Sequence, residues 1–381
     1  MSAPVSAATP SRLSSLRKSA LWGLARLWRS TVSVITTLAV LISASVAAWR
    51  ISVEYNVPLT LVLLLAFCLL ASLLHELGHA FAAWLIDWDV HVINVARISY
   101  LPARRAFGRV RIESNERLGG YVFATPSRLE EWSFRRYVLF LSGGVAANFF
   151  TVALCQIAAL RLAASWPVVA ALCVGLGLTS LVSGVLNLIP LYRDGGRASD
   201  GARLFDFLLG RKLSTSRRIV ARVSGLTIDG VPARDWPPAL IAAIETIDYP
   251  DRFALLANYY LAIGDPAKAL AALRQIPSSA SAGTGTQRCI HAFLVALVER
   301  DTASARALLA EPVTHDFAYW RALAVILAVE GRRAEACAAV AEARKVGLAE
   351  VGGAGDDDDK VLLAAIEDGR ELPMQYGVAA T

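Results

Sequence analysis

The chain is poor in charge and in paired cysteine. Charged residues make up 18% of its 381 positions, against 55% hydrophobic ones, a balance too apolar for an ordinary soluble protein of this length. Its five cysteines, Cys68, Cys155, Cys173, Cys289 and Cys337, contain no CxxC pair. That argues against a disulfide framework and leaves apolar filling as the role of most of them. Nor does any stretch interleave basic and aromatic residues as a nucleic-acid surface does, so the net charge of +6 needs a different explanation.

What the chain has instead is long hydrophobic runs, gathered in its first half. Residues 31–49, 58–86, 137–163 and 167–190 are each long enough to cross a hydrocarbon core, which predicts four spans. The basic stretch before the first run, with Arg12, Arg17, Lys18, Arg26 and Arg29, precedes a full-length span rather than a short signal core, so the expectation is a retained segment. Arginine sets the orientation. The loop 87–136 carries Arg97, Arg104, Arg105, Arg109, Arg111, Arg117, Arg128, Arg135 and Arg136, whereas the connections at 50–57 and 161–166 hold one arginine each. The positive-inside rule then places both termini and that loop in the cytoplasm of a multi-pass inner or plasma membrane protein, and the positive charge is a mark of topology.

One span contains residues that membranes disfavour. "LLHELGHAFAAWL", residues 73–85, sets His75, Glu76 and His79 in otherwise apolar sequence. On a helix the two histidines lie about 40° apart on one face and can offer two imidazole nitrogens to one ion. Glu76 beside them suits the general base of the HExxH metalloprotease pattern. Three ionisable groups in ligand spacing inside a span are costly, and that cost points to a function. Catalytic zinc needs a third protein ligand. "LNLIPLYRDGGRASDGARLFDFLL", residues 186–209, offers two, Asp194 and Asp200, each followed by glycine. An aspartate beside glycine is more often a turn residue or a helix cap, so spacing leaves the choice open.

These elements together resemble the site-2 protease family of intramembrane zinc metalloproteases. HELGH in one span, NLIP with a following Asp-Gly in a later one, and "SGGVAANFF" (142–150) between them stand in the family's order. In the last of these Gly144 and Asn148 match, and Val145 stands where proline is usual. The resemblance covers roughly residues 58–210. It implies that His75 and His79 ligate Zn2+ and that Glu76 is the general base. The aspartate of an Asp-Gly pair becomes the third ligand, and Asn148 and Asn187 contact substrate. Asp200 is preferred because "DGARL" leads into an apolar helix, although Asp194 fits the family's usual distance better; the linking turn is longer than the common form. The implied substrate is a transmembrane protein cut near the cytoplasmic face.

The rest of the chain carries less chemistry. "DVHVINVARISYL" and "GRVRIESNERLGGYVFAT" alternate like strands, predicting a small hairpin or sheet at 87–136 that could pair with an extended substrate or lie against lipid headgroups. His91 within it is not expected to be a ligand. Residues 211–249 read as a basic linker with one helix near "PPALIAAIETI". From 250 to 381 three segments, 254–276, 291–312 and 321–345, each read as helix, turn, helix, with turns at Gly264-Asp265, Arg300-Asp301 and Gly331-Arg332. Their offsets resemble tetratricopeptide repeats, which would present a surface to a cytosolic partner. "DDDDK" (356–360) reads as a solvated acidic turn. The expected architecture is therefore mainly α. It has a basic N-terminus at 1–30, a transmembrane domain at 31–210 with a β insert, and a soluble helical-repeat domain. The alternative function is a non-catalytic adaptor that works through those repeats.

Overall fold

A backbone that crosses hydrocarbon must satisfy its N–H and C=O groups within the segment, and the apolar runs do so as helices. The computed structural model describes residues 57–108, 119–192, 198–210, 213–247, 252–276, 285–310, 315–349 and 357–372. Three long helices fall where the runs predict them: α1 (Val57–Leu85), α2 (Phe134–Leu162) and α3 (Pro167–Leu188). Each contains a stretch long and apolar enough to span a membrane. Pro167 opens α3, where its missing N–H costs nothing. Phe81, Trp84, Phe150 and Leu160 point outward, as lipid-facing side chains would. The expected first span, 31–49, and the basic N-terminus lie outside the described residues.

Two units divide the chain: residues 1–82 with 134–212, and residues 83–133 with 213–381. In the first, Gly78 of α1 and Gly143 of α2 meet so closely that a Cβ on either would collide with the other's carbonyl, so the two backbones touch. A short helix, α4 (Asp200–Leu208), packs on both α2 and α3.

The second unit holds a four-stranded antiparallel sheet: β1 (Trp88–Val95), β2 (Ile98–Leu101), β3 (Ala106–Gly108) and β4 (Gly120–Pro126), in the order β3-β2-β1-β4. Residues 109–118 of the expected strand region lie outside the described residues. The register of β1 against β4 slips between Val90 and Val92, which makes His91 a bulge residue and buries its ring completely.

Within the stretch read as a linker, the helix expected near "PPALIAAIETI" is present, and a second helix precedes it where irregular chain is expected. Residues Thr215–Asp229 form α5 and Pro238–Thr246 form α6. Ser214 caps α5 by accepting from Arg217 N, and Gly230 ends it in the left-handed conformation. Ile219, Val223 and Leu226 of α5 recur at helical spacing and lie in the same core as Leu240, Ile244, Phe293, Leu297, Ile326 and Leu362. Basic residues surround these positions in sequence, which is why the apolar stripe reads as irregular chain. Beyond them come α7 (Arg252–Ala262), α8 (Pro266–Leu273), α9 (Gly285–Leu294), α10 (Thr302–Ala310), α11 (Phe317–Val329), α12 (Arg333–Ala349) and α13 (Asp357–Asp368). Helix pairs α7–α8, α9–α10 and α11–α12 pack against each other. The acidic run is not a solvated turn, because Asp357 begins α13 and Asp359 is buried against Arg321 at 2.8 Å.

Candidate metal centre

His75 and His79 stand one turn apart on α1, and both are buried. Their Nε2 atoms lie 3.2 Å apart. Asp200, the first residue of α4, brings Oδ2 to 3.1 Å from Nε2 of His75 and 3.0 Å from Nε2 of His79. Of the two candidate aspartates it is Asp200 that the fold gathers with the histidines; Asp194 lies outside the described residues.

The placement of Asp200 rests on its neighbours. Ser199 caps α4, accepting from Ala202 N, and its hydroxyl also accepts from Leu191 N at 3.0 Å and donates to Ile189 O at 2.7 Å. A backbone bridge pairs Tyr192 with Ala198, and Tyr192 Oη donates to Ala202 O at 3.2 Å. The lengthened turn is therefore stapled at its base, returning the chain to the end of α3. Gly201 then lies directly against the Leu188 carbonyl, where no side chain fits. The glycine of the Asp-Gly pair is thus a packing requirement that lets the aspartate approach.

The three donor atoms form a triangle with edges of 3.0, 3.1 and 3.2 Å. A tetrahedral zinc with ligands at about 2.0–2.2 Å separates them by about 3.3–3.6 Å, so the arrangement fits an ion after shifts of a few tenths of an ångström. Space fits as well. A Cβ on Gly144 would stand 2.5 Å from Nε2 of His79 and 2.6 Å from Nε2 of His75, so only glycine leaves the volume beside both nitrogens clear.

Chemistry adds a third argument. Nδ1 of His79 lies 2.8 Å from the Phe140 carbonyl, which can only accept, so that nitrogen carries the proton. Nε2 of a neutral His79 then presents a lone pair to the Asp200 oxygen, a contact that requires a cation or a shared proton between them. Burial pushes the Asp200 carboxyl up, but its contacts with His75 and His79 outweigh that and hold it well below the usual carboxylate range.

The remaining expected residues are placed as follows. Glu76 is buried on α1 beside His75. Asn148 of α2 is fully buried, with its amide 3.0 Å from Nδ1 of His75 and 3.2 Å from Ser183 Oγ. Asn187, near the end of α3, is half-buried and donates to Ser183 O at 3.1 Å, a bond within its own helix. Ser199, Ser183 and the Phe140 carbonyl carry no metal-ligand signature in the sequence. Ser199 could have been found as a cap residue before Asp-Gly; a backbone carbonyl leaves no trace in side-chain pattern. Comparison with protein-family models, with curated proteins and with solved structures finds nothing that matches the chain.

Proposed function

We propose that the protein is an intramembrane zinc endopeptidase of site-2 protease type, which hydrolyses transmembrane protein substrates near the cytoplasmic face. The observation that carries this reading is the convergence of His75 Nε2, His79 Nε2 and Asp200 Oδ2 within 3.2 Å of one another, two of them on a helix apolar enough to span a membrane. His75, His79 and Asp200 would hold Zn2+, and the ion when bound supplies Lewis acidity that makes a nearby water acidic near neutrality. Glu76, adjacent on α1, takes a proton from the attacking water as its oxygen bonds to the peptide carbonyl carbon. The C–N bond then breaks, and Glu76 returns the proton to the leaving amine. Asn187, at the mouth of α3, is the residue assigned to hold the substrate backbone.

The arginine excess in 87–136 supports a topology in which that loop, both termini and the C-terminal helices would lie in the cytoplasm, at an inner or plasma membrane. The helix pairs α7–α8, α9–α10 and α11–α12 would act as a tetratricopeptide-like array for a cytosolic partner that presents the substrate. The test is product analysis of a transmembrane peptide incubated with the full chain in micelles. Cleavage that a zinc chelator removes and added zinc restores supports the reading, and cleavage indifferent to chelation contradicts it.

A second reading, a non-catalytic adaptor, draws on a cavity of about 290 Å³ lined by Glu245, Arg252, Phe253, Tyr260, Lys268 and Gln275, which could take a partner's peptide. Absence of any peptide cleavage together with binding at this cavity would favour it.

A further inference from the structure

The backbone around Asn148 decides which way its amide points. The Gly184 N–H can only donate and the Ala71 carbonyl can only accept. The amide oxygen therefore faces Gly184 N at 3.2 Å, and the amide nitrogen donates to Ala71 O at 3.3 Å. In that orientation the oxygen also accepts from Ser183 Oγ at 3.2 Å and from Nδ1 of His75 at 3.0 Å. One fully buried side chain thus joins α1, α2 and α3, and its partners leave its orientation no alternative.

The consequence falls on His75. An oxygen facing Nδ1 requires the proton to be there, so a neutral His75 carries its lone pair on Nε2, the atom 3.2 Å from Nε2 of His79 and 3.1 Å from Asp200 Oδ2. The opposite orientation would put the lone pair on Nδ1 and a proton at the centre of the site, closing it to an ion. We infer that Asn148 is a positioning residue that fixes the Nδ1–H tautomer of His75 and so aims Nε2 at the metal position, rather than a group that contacts substrate. Phe140 O does the same for His79, but a backbone carbonyl is held by its helix, whereas the amide of Asn148 is held by α1 and α3. Correct packing of three helices is therefore a condition for a correct ligand. This role rests on the metal reading above.

The test measures zinc affinity of the full chain in micelles by chelator competition, for wild type, Asn148→Ala and Asn148→Asp. Asn148→Ala should weaken zinc binding by about 10–100-fold, the usual effect of removing an outer-shell partner. Asn148→Asp keeps an oxygen opposite Nδ1, although it loses the donor to Ala71 O, and should bind zinc more tightly than Asn148→Ala. A folded Asn148→Ala that binds zinc as tightly as wild type overturns the inference. A second measurement needs no Asn148 variant. In the metal-free, 15N-histidine-labelled wild-type chain, with His75 assigned by difference from His75→Gln, the neutral ring should carry its proton on Nδ1. A proton on Nε2 overturns the inference. If wild type takes up no zinc, the metal reading fails, and the 15N spectrum still decides whether Asn148 sets the tautomer.

Discussion

His91 and Asp229 meet at 2.7 Å, joining the bulge of β1 to the last residue of α5. The other ring nitrogen of His91 lies 2.8 Å from Thr125 Oγ1, and Arg222 donates to that same hydroxyl at 3.3 Å and to Asp89 at 2.7 Å. Thr125 can therefore accept from arginine and donate to the ring, a chain of bonds that ties sheet to helix.

Removing the carboxylate breaks that chain. Asp229→Ala leaves Nδ1 of a fully buried His91 without its acceptor, which should cost about 1–3 kcal/mol of stability. Thermal unfolding of the full chain in micelles checks this, and zinc content should be unchanged. An unaltered melting temperature would show that the network does not hold α5.

Arg321 and Asp359 form a largely buried ion pair, with Arg321 also lying 4.6 Å over the Phe293 ring. Asp359→Ala removes the carboxylate that faces the Arg321 guanidinium and should destabilise by up to about 3–5 kcal/mol, whereas Arg321→Met combined with Asp359→Leu should recover most of the loss. Chemical denaturation of the single and double variants measures both; equal losses would mean that charge is not the cause.

Asp200→Ala should lower zinc occupancy strongly, and Asp194→Ala should leave it near wild type. Metal analysis of the two purified variants decides between them. The reverse pattern would assign the third ligand to Asp194.

Gly144→Ala should abolish zinc binding, since its methyl group would stand within 2.6 Å of both Nε2 atoms. Because α2 remains helix-competent with alanine, helicity by circular dichroism should persist while metal is lost. Full zinc occupancy in this variant would mean that the ion lies elsewhere.

Local features of this molecule were legible in the sequence, and features that depend on distant partners were not. The three long apolar helices follow from composition alone, and the His75, His79 pair follows from spacing on one helix. Asp200 was one of two candidates, because what selects it, the Ser199 staple and the contact of Gly201 with the Leu188 carbonyl, exists only after the chain returns to α3. Helix α5 was read as linker because its basic residues mask the Ile219, Val223, Leu226 stripe, and the stripe gains meaning only beside Leu240 and Ile244. His91 drew no assignment because a bulge, invisible in the alternation of β1, turns its ring inward. Asp359 looked solvated in an acidic run because its partner, Arg321, is 38 residues away.

The measurement that bears most directly on the proposed activity pairs zinc content with hydrolysis of a transmembrane peptide for wild type and Glu76→Gln. Wild type should hold about one zinc per chain and cleave; Glu76→Gln should keep the zinc, because the ligands remain, and lose cleavage by a factor of about 10²–10⁴ or more, because the proton acceptor is gone. A Glu76→Gln protein that cleaves at the wild-type rate, or a wild type that cleaves without zinc, would contradict the account.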